Sequence, residues 1–341
     1  VLSRSADVAQ ENRQKVSLLQ SLAQILDEKL GHPDRAAEEY EKILKVDPKS
    51  MPALRGLEKL YDAAQHWDRL YRILEAQRDV ASPQERERVL ARMAQVASHG
   101  LSDTTRSIQL YSEVLEKNPR SEPAFLALEG LYEDQHMFQE FVDLVRRRLS
   151  FTVDPREIVR LSDKLGRVLH QQLSRPDEAV VAFKAVLDRD PRHRKALESL
   201  RDIYEAQGKT EDLVTMLRRL IPVQDDASGV KQVRLKLAEV LATDPDESVR
   251  TALAARQTLS PSVLGLLADD PSPEVCLQLA LNPALPEPVA LRLAKHPLER
   301  VRRALLLNPI APPSAIALLC KDKRRGVRDL AQRRSSASEG P

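Results

Sequence analysis

Apolar side chains recur along this chain in steps of four, and the steps restart at a fixed distance. Pro48, Pro119 and Pro191 each follow Asp or Asn and lie 71 and 72 residues apart. Four, eight and twelve residues before each proline stand Leu44, Tyr40 and Ala36, then Leu115, Tyr111 and Ser107, then Leu187, Phe183 and Ala179. Five, nine and thirteen residues after it stand Ala53, Leu57 and Tyr61, then Ala124, Leu128 and Tyr132, then Ala196, Leu200 and Tyr204. A four-residue step keeps side chains on one helical face. The pattern therefore predicts a thrice-repeated block of four helices, which in the first block run over about 12–30, 34–46, 50–64 and 67–80. The breaks have local causes. Gly31 and Gly208 stop helices, Pro33 opens one, Asp47-Pro48 ends one, and Ser82 is placed to cap the helix after it.

A second period begins near residue 244. Val249, Val275, Val301 and Val327 are spaced by 26 residues, and Arg250, Arg302 and Arg328 follow three of them, with Cys276 in the fourth place. Leu253, Leu279 and Leu305 keep the same spacing, as do Asn282-Pro283 and Asn308-Pro309, and Leu267-Ala268, Leu293-Ala294 and Leu319-Cys320. A proline-rich connector with one helix of about ten residues cannot cover its own apolar face, so these units are expected to stack. The Val-Arg arginines suit a ladder to carboxylates of neighbouring units. Pro245-Asp246-Glu247-Ser248 matches Pro176-Asp177-Glu178-Ala179, so the second period is expected to continue the first directly, with Ala252 in the aromatic place and Val223–Gly229 as a short link.

The first period resembles tetratricopeptide repeats. Leu22-Ala23-x-x-Leu26, Met93-Ala94-x-x-Ala97 and Leu165-Gly166-x-x-Leu169 are similar to that family's first-helix motif, and Ala36, Tyr40 and Pro48 follow its second-helix order. No tryptophan opens the repeats, and the loop around Gly31–Pro33 is one residue longer than the family pattern. The second period is similar to leucine-rich repeat variants or HEAT-like helix pairs. The resemblance implies an all-α, right-handed α-solenoid of stacked antiparallel helix pairs without β-sheet. Residues 1–243 are expected to form a tetratricopeptide-like solenoid, residues 244–334 a second solenoid stacked on it, and residues 335–341 a disordered tail within a polar segment that starts at Arg333. Val1–Ala9 aligns with Ile73–Ala81 and the chain lacks an initiator methionine. The expectation is an excerpt that starts inside an earlier helix, from a cytoplasmic protein whose leader, if any, precedes Val1.

Composition narrows the function. Aromatic residues make up 4% and cysteines number two, which disfavours base-stacking platforms, disulfide frameworks and multi-cysteine metal sites. No apolar run reaches the ~18 residues of a membrane span. The net charge of +2 is uneven: from Arg292 onward twelve Lys/Arg face four Asp/Glu, a local +8 that leaves −6 for residues 1–291. No phosphate-binding loop, nucleophile elbow, zinc motif or Cys-x-x-Cys is present, and the seven histidines stand singly. His32, His66, His99 and His136 read as turn residues, Cys276 and Cys320 as small packing thiols, Asp225-Asp226 and Asp269-Asp270 as loop carboxylates, and the tyrosines and Trp67 as packing residues.

The expectation is a non-enzymatic scaffold for other proteins, without cofactor or metal. Its partner-binding positions by resemblance lie on first helices, at Gln20, Gln24, Asp27, Gln95 and His99. The cations Arg302, Arg303, Lys323, Arg324 and Arg325 offer an alternative surface for nucleic acid or an acidic protein. A third reading makes the chain the regulatory arm of a larger enzyme. No motif addresses partner identity or oligomeric state.

Overall fold

A computed structural model describes residues 12–338. The chain separates into two compact units, Val1–Val153 and Asp154–Pro341. Among the described residues every regular element is helical. The alignment at Val1–Ala9 lies outside the described residues, as do the last three residues of the tail.

The first unit holds α1 (Asn12–Glu28), α2 (Pro33–Val46), α3 (Met51–Ala63), α4 (Trp67–Val80), α5 (Pro83–Gln95), α6 (Thr104–Lys117), α7 (Glu122–Asp134) and α8 (Phe138–Leu149), each packed on the next. A short π-helical turn, Val96–Gly100, extends α5. The four-step positions supply the core: Ala36, Tyr40, Ala53, Leu57, Tyr61, Ala124, Leu128 and Tyr132 are all buried. Two aromatics of this unit press on a glycine. Tyr40 lies over Gly56 and Trp67 over Gly100, where a Cβ would meet ring carbons at 2.5 and 2.6 Å. Ser107, the small residue of the second block, is buried and donates its hydroxyl proton to the Ala94 carbonyl at 2.8 Å.

The turns repeat as strictly as the helices. Gly31, Ser102 and Ser174 occupy the left-handed region after the first helix of each block, and Gln65, His136 and Gly208 occupy it after the third. Glycine fills two of these six places. Non-glycine residues tolerate the others at some conformational cost, and His136 is thereby a turn residue. Ser82 caps α5 with Glu85 in a reciprocal capping box.

The second unit begins with a third block: α9 (Pro155–Gln171), α10 (Pro176–Arg189), α11 (Arg194–Ala206) and α12 (Thr210–Leu220). Phe183 sits on Gly166 here, at 2.8 Å from the place of a Cβ. A 3₁₀ turn, Ile221–Val223, leads to α13 (Ala227–Ala242), which packs on α12 and on the short helices α14 (Glu247–Ala254) and α15 (Pro261–Leu267). Then follow α16 (Pro273–Ala280), α17 (Glu287–Leu293), α18 (Glu299–Leu307), α19 (Pro313–Leu319) and α20 (Arg325–Ser338). Each complete 26-residue unit is thus two α-helices of seven to nine residues rather than one of ten. Helices this short escape a periodicity reading and rely on caps and tertiary packing. Asp246, Ser260 and Ser272 each accept a backbone N–H at a helix start. Ala252 is exposed, and Leu253 and Ala254 are buried beside it, so the aromatic place has no successor in the core. The polar residues from Arg333 do not leave the fold at once: α20 runs to Ser338, held by Arg334 on the carbonyls of Leu306 and Pro309.

Two side-chain ladders bind the short pairs. In the first, Arg250 forks onto Asp270, with Nε–Oδ2 at 2.7 Å and Nη2–Oδ1 at 3.2 Å, while its Nη1 donates to the carbonyls of Asp244 and Pro245. Arg302 does the same to Asp322 and to the carbonyls of His296 and Pro297, at nearly identical distances. Arg328 keeps the carbonyl half, on Asp322 and Lys323. The acceptor column Asp244, Asp270, His296, Asp322 advances by 26, and each member accepts the backbone N–H two residues on. The second ladder is Asn282 and Asn308, both fully buried. Asn282 donates to Ala254 and Arg256 carbonyls, and Asn308 to those of Ala280 and Asn282, so each turn is pinned to the one before. Arg334 stands 26 residues after Asn308 and takes its place.

The middle rung changes both partners together. Cys276 replaces the arginine and is buried, with its Sγ at 3.5 Å from the Asp270 carbonyl that the guanidinium would reach. His296 replaces the aspartate. A neutral pair fills the space of an ion pair, so neither charge is stranded. Introducing Cys276→Arg alone is expected to cost about 3 kcal/mol or more, because a buried guanidinium would lack its carboxylate. Adding His296→Asp is expected to recover most of that loss, and chemical denaturation of the four proteins of the cycle measures the coupling.

Acid should weaken this unit in two stages. Burial opposes ionisation of Asp322 most strongly, but hydrogen bonds from Arg302 and the Arg324 N–H together hold its carboxyl below the ordinary range. Burial also holds the His296 imidazole below its ordinary value. In both cases the unfolded chain takes up the proton first, so stability falls as pH drops. The His296 contribution is expected to fade below about pH 6.5 and that of Asp322 below about pH 4. Thermal melts from pH 8 to 3 check this, and His296→Asn should remove the earlier stage only.

Candidate interaction surfaces

The first helices of the first three pairs, α1, α3 and α5, carry ion pairs from one to the next. Asp27 of α1 accepts from Lys59 of α3 at 2.8 Å, Arg55 of α3 reaches Glu85 of α5 at 2.7 Å, and Asp62 of α3 pairs with Arg92 of α5. Arg55, Glu58, Lys59, Asp62, Arg88 and Arg92 line a polar trough of about 400 Å3 between α3 and α5. Arg92 also donates to Gln95 Oε1 at 2.6 Å.

The expected positions fall into place unequally. Gln24, Gln95 and His99 are exposed, Gln20 and Asp27 half-buried. Asp27 is engaged by Lys59, and the Lys59 ammonium is correspondingly held above its ordinary value by that hydrogen bond. His99 lies in the π-helical turn, with Nδ1 at 3.2 Å from the Gln95 carbonyl oxygen. Gln95, His99 and Arg92 therefore form one neighbourhood, and Gln20, Gln24 and Asp27 share a separate helix.

The basic cluster is less free than its composition suggests. Arg302 is 8% exposed and committed to the ladder, so it is a packing residue and not a surface cation. Arg303 and Arg324 both face Glu299 at 4.0 Å, and Arg325 faces Asp329 at 3.6 Å. Lys323 is exposed. The carboxylate pairs are also assigned: Asp270 belongs to the ladder, Asp269 pairs with Arg292, Asp225 with Arg194, and Asp226 caps α13.

One feature carried no sequence signal. In the second unit a largely apolar cleft of about 670 Å3 is lined by Ala227, Val230, Lys231, Arg234, Leu235 and Ala238 of α13 and by Thr258–Ser260. Among the described residues no group of three or more His, Cys, Asp or Glu side chains is placed to hold a metal, and no helix is long and apolar enough to cross a membrane.

A tetratricopeptide repeat model matches residues 16–50, which are most of α1, all of α2 and the turn after it. Residues 16–50 are thus similar to a tetratricopeptide repeat. The Pro48 register returns at Pro119 and Pro191, so the two later blocks repeat the matched order of small residue, aromatic and proline. No curated protein matches. Among solved structures, YrrB, described as a TPR protein with an unusual peptide-binding site, is 16% identical over 69% of this chain and 97% of its own, with a TM-score of 0.31. MamA is 17% identical over 53% of this chain and 94% of its own, with a TM-score of 0.36. The C-terminal part of a TPR repeat-containing protein from Cytophaga hutchinsonii is 15% identical over 76% and 99%, with a TM-score of 0.38.

Proposed function

We propose that this chain is a tetratricopeptide repeat protein and a non-catalytic scaffold that takes a peptide or helical segment of a partner protein along the α1–α3–α5 face. The observation that carries the reading is the trough between α3 and α5. Its ion pairs run from one first helix to the next and hold the helices in register. Exposed Gln95 and His99 lie at the Arg92 end of the trough, and exposed Gln24 lies on α1 with Asp27, as hydrogen-bonding groups that no ion pair consumes. Such a surface suits an extended or helical polypeptide with polar side chains better than a compact anion, because three of its four cations, Arg55, Lys59 and Arg92, already have carboxylates. The same reasoning ranks the basic C-terminal surface second, since Arg302 is buried and Arg303, Arg324 and Arg325 face acidic neighbours. We read the repeat types as two modules that meet at 243/244, the first presenting the trough and the second stacking on it.

A photo-crosslinking amino acid at Gln24 or Gln95 is expected to capture defined partner polypeptides from the native cell. The same probe at Val181, exposed on α10, should capture none of them. Equal capture from all three positions would overturn the reading.

A further inference from the structure

The helix α13 is longer than what covers it. Its 16 residues extend about 24 Å, whereas the seven residues of α15 extend about 10 Å. In the tetratricopeptide blocks the partners are nearly matched, as with α9 at 17 residues against α10 at 14. The mismatch arises where the long repeat meets the short one. It leaves one stripe of α13 only partly covered: Ala227, Val230, Lys231, Arg234, Leu235 and Ala238 are spaced i, i+3, i+4, i+7, i+8 and i+11. Across the cleft the stripe faces the Thr258–Ser260 segment, and Leu235 and Ala238 at its C-terminal end also touch the core of the short pairs.

The apolar residues of α13 register this gap. Val230, Leu235, Leu237, Ala238, Val240 and Leu241 are all half-buried, and only Val233 and Ala242 are buried. The corresponding helix of the third block, α9, buries Leu161, Leu165, Val168 and Leu169. The charges at the gap have one sign. Lys231 and Arg234 are exposed and have no ion-pair partner among the described residues. Other cations of this unit are paired: Lys236 with Glu205, Arg194 with Glu198 and Asp225, Arg250 with Asp270.

We infer that the α13 cleft is a docking site for an amphipathic helix of a partner protein, with apolar side chains at helical spacing flanked by Asp or Glu. The leucines would enter between Leu235, Ala238 and Leu259 and complete the missing helix layer. The carboxylates would meet Lys231 and Arg234, where opposite charge adds specificity to apolar burial. A volume of about 670 Å3 is in the range of pockets that seat several apolar groups. The inference rests on reading the chain as a polypeptide-binding scaffold, but it uses a helix and a unit that the α1–α3–α5 trough does not.

The test uses the whole chain and a fluorescent, acetylated peptide of about 16 residues, long enough to span the face of α13. The peptide has Leu at i, i+3, i+4 and i+7 and Glu on its flanks, and a control peptide has every Glu replaced by Lys. The acidic peptide is expected to bind at least about tenfold more tightly than the basic one. The double variant K231E/R234E should reverse that preference, and A238W, which fills the cleft, should abolish binding of both. Circular dichroism matching wild type confirms that both variants fold. Equal binding of the two peptides, or acidic binding that survives both variants, would overturn the inference. So would saturation of the cleft by oleate with no peptide bound, which would assign it to lipid. Loss of crosslinking from Gln24 and Gln95 with A238W-sensitive peptide binding intact removes the trough reading alone. The opposite pattern removes the cleft alone.

Discussion

No helix pair in this chain can cover its own apolar face, and everything else follows from that constraint. A pair of helices joined by a short turn leaves one stripe open on each side, and only another pair of similar length closes it. In the long blocks the closure is made by shape: an aromatic from one helix lies on a glycine of a neighbour, as Tyr40 on Gly56 and Phe183 on Gly166. In the short pairs, whose helices have seven to nine residues, there is too little apolar surface for shape alone. Buried polar ladders connect them instead, with each Asn or Arg bonded to backbone of an adjoining turn.

A buried ladder imposes a strict rule on substitution, because one charged side chain removed leaves another stranded. The Cys276–His296 rung obeys it. The two residues lie 20 apart, the same separation as Arg250–Asp270 and Arg302–Asp322, and both depart from the repeat together. The place where the rule of matched helices fails is the α13 junction, where a long helix meets a short one. There, the geometry that makes stacking stable elsewhere leaves a partly covered stripe with two cations that have no ion-pair partner among the described residues.

The helix boundaries of the first block and the core positions of all three were legible because they rest on spacing: residues four apart, restarted every 71 or 72. The left-handed turns were legible by residue type only at Gly31 and Gly208. Ser102, Ser174, Gln65 and His136 hold the same conformation and betray it only by their distance from those glycines. The ladder arginines were legible from the Val-Arg repeat, and Asp270 could have been found from Asp244 and Asp322 at the same period. Arg334 could likewise have been found from Asn308. Composition misled at the C-terminal end. A count of cations does not distinguish Arg302, which lies inside a stack, from Lys323 on its surface. The α13 cleft left no signal because it depends on a difference in helix length, which becomes visible only when both helices are placed.

A scaffold built this way transmits order between neighbours and has no single core whose loss melts the whole. Amide hydrogen exchange on the full chain carrying Asn308→Ala tests that claim most directly, since Asn308 joins its turn to Ala280 and Asn282 of the preceding pair. The account predicts faster exchange in α16, α18 and α19, on either side of the broken rung, with α9 to α12 unchanged. Unaltered protection on both sides of the rung, or a uniform loss from α9 through α20, would contradict it.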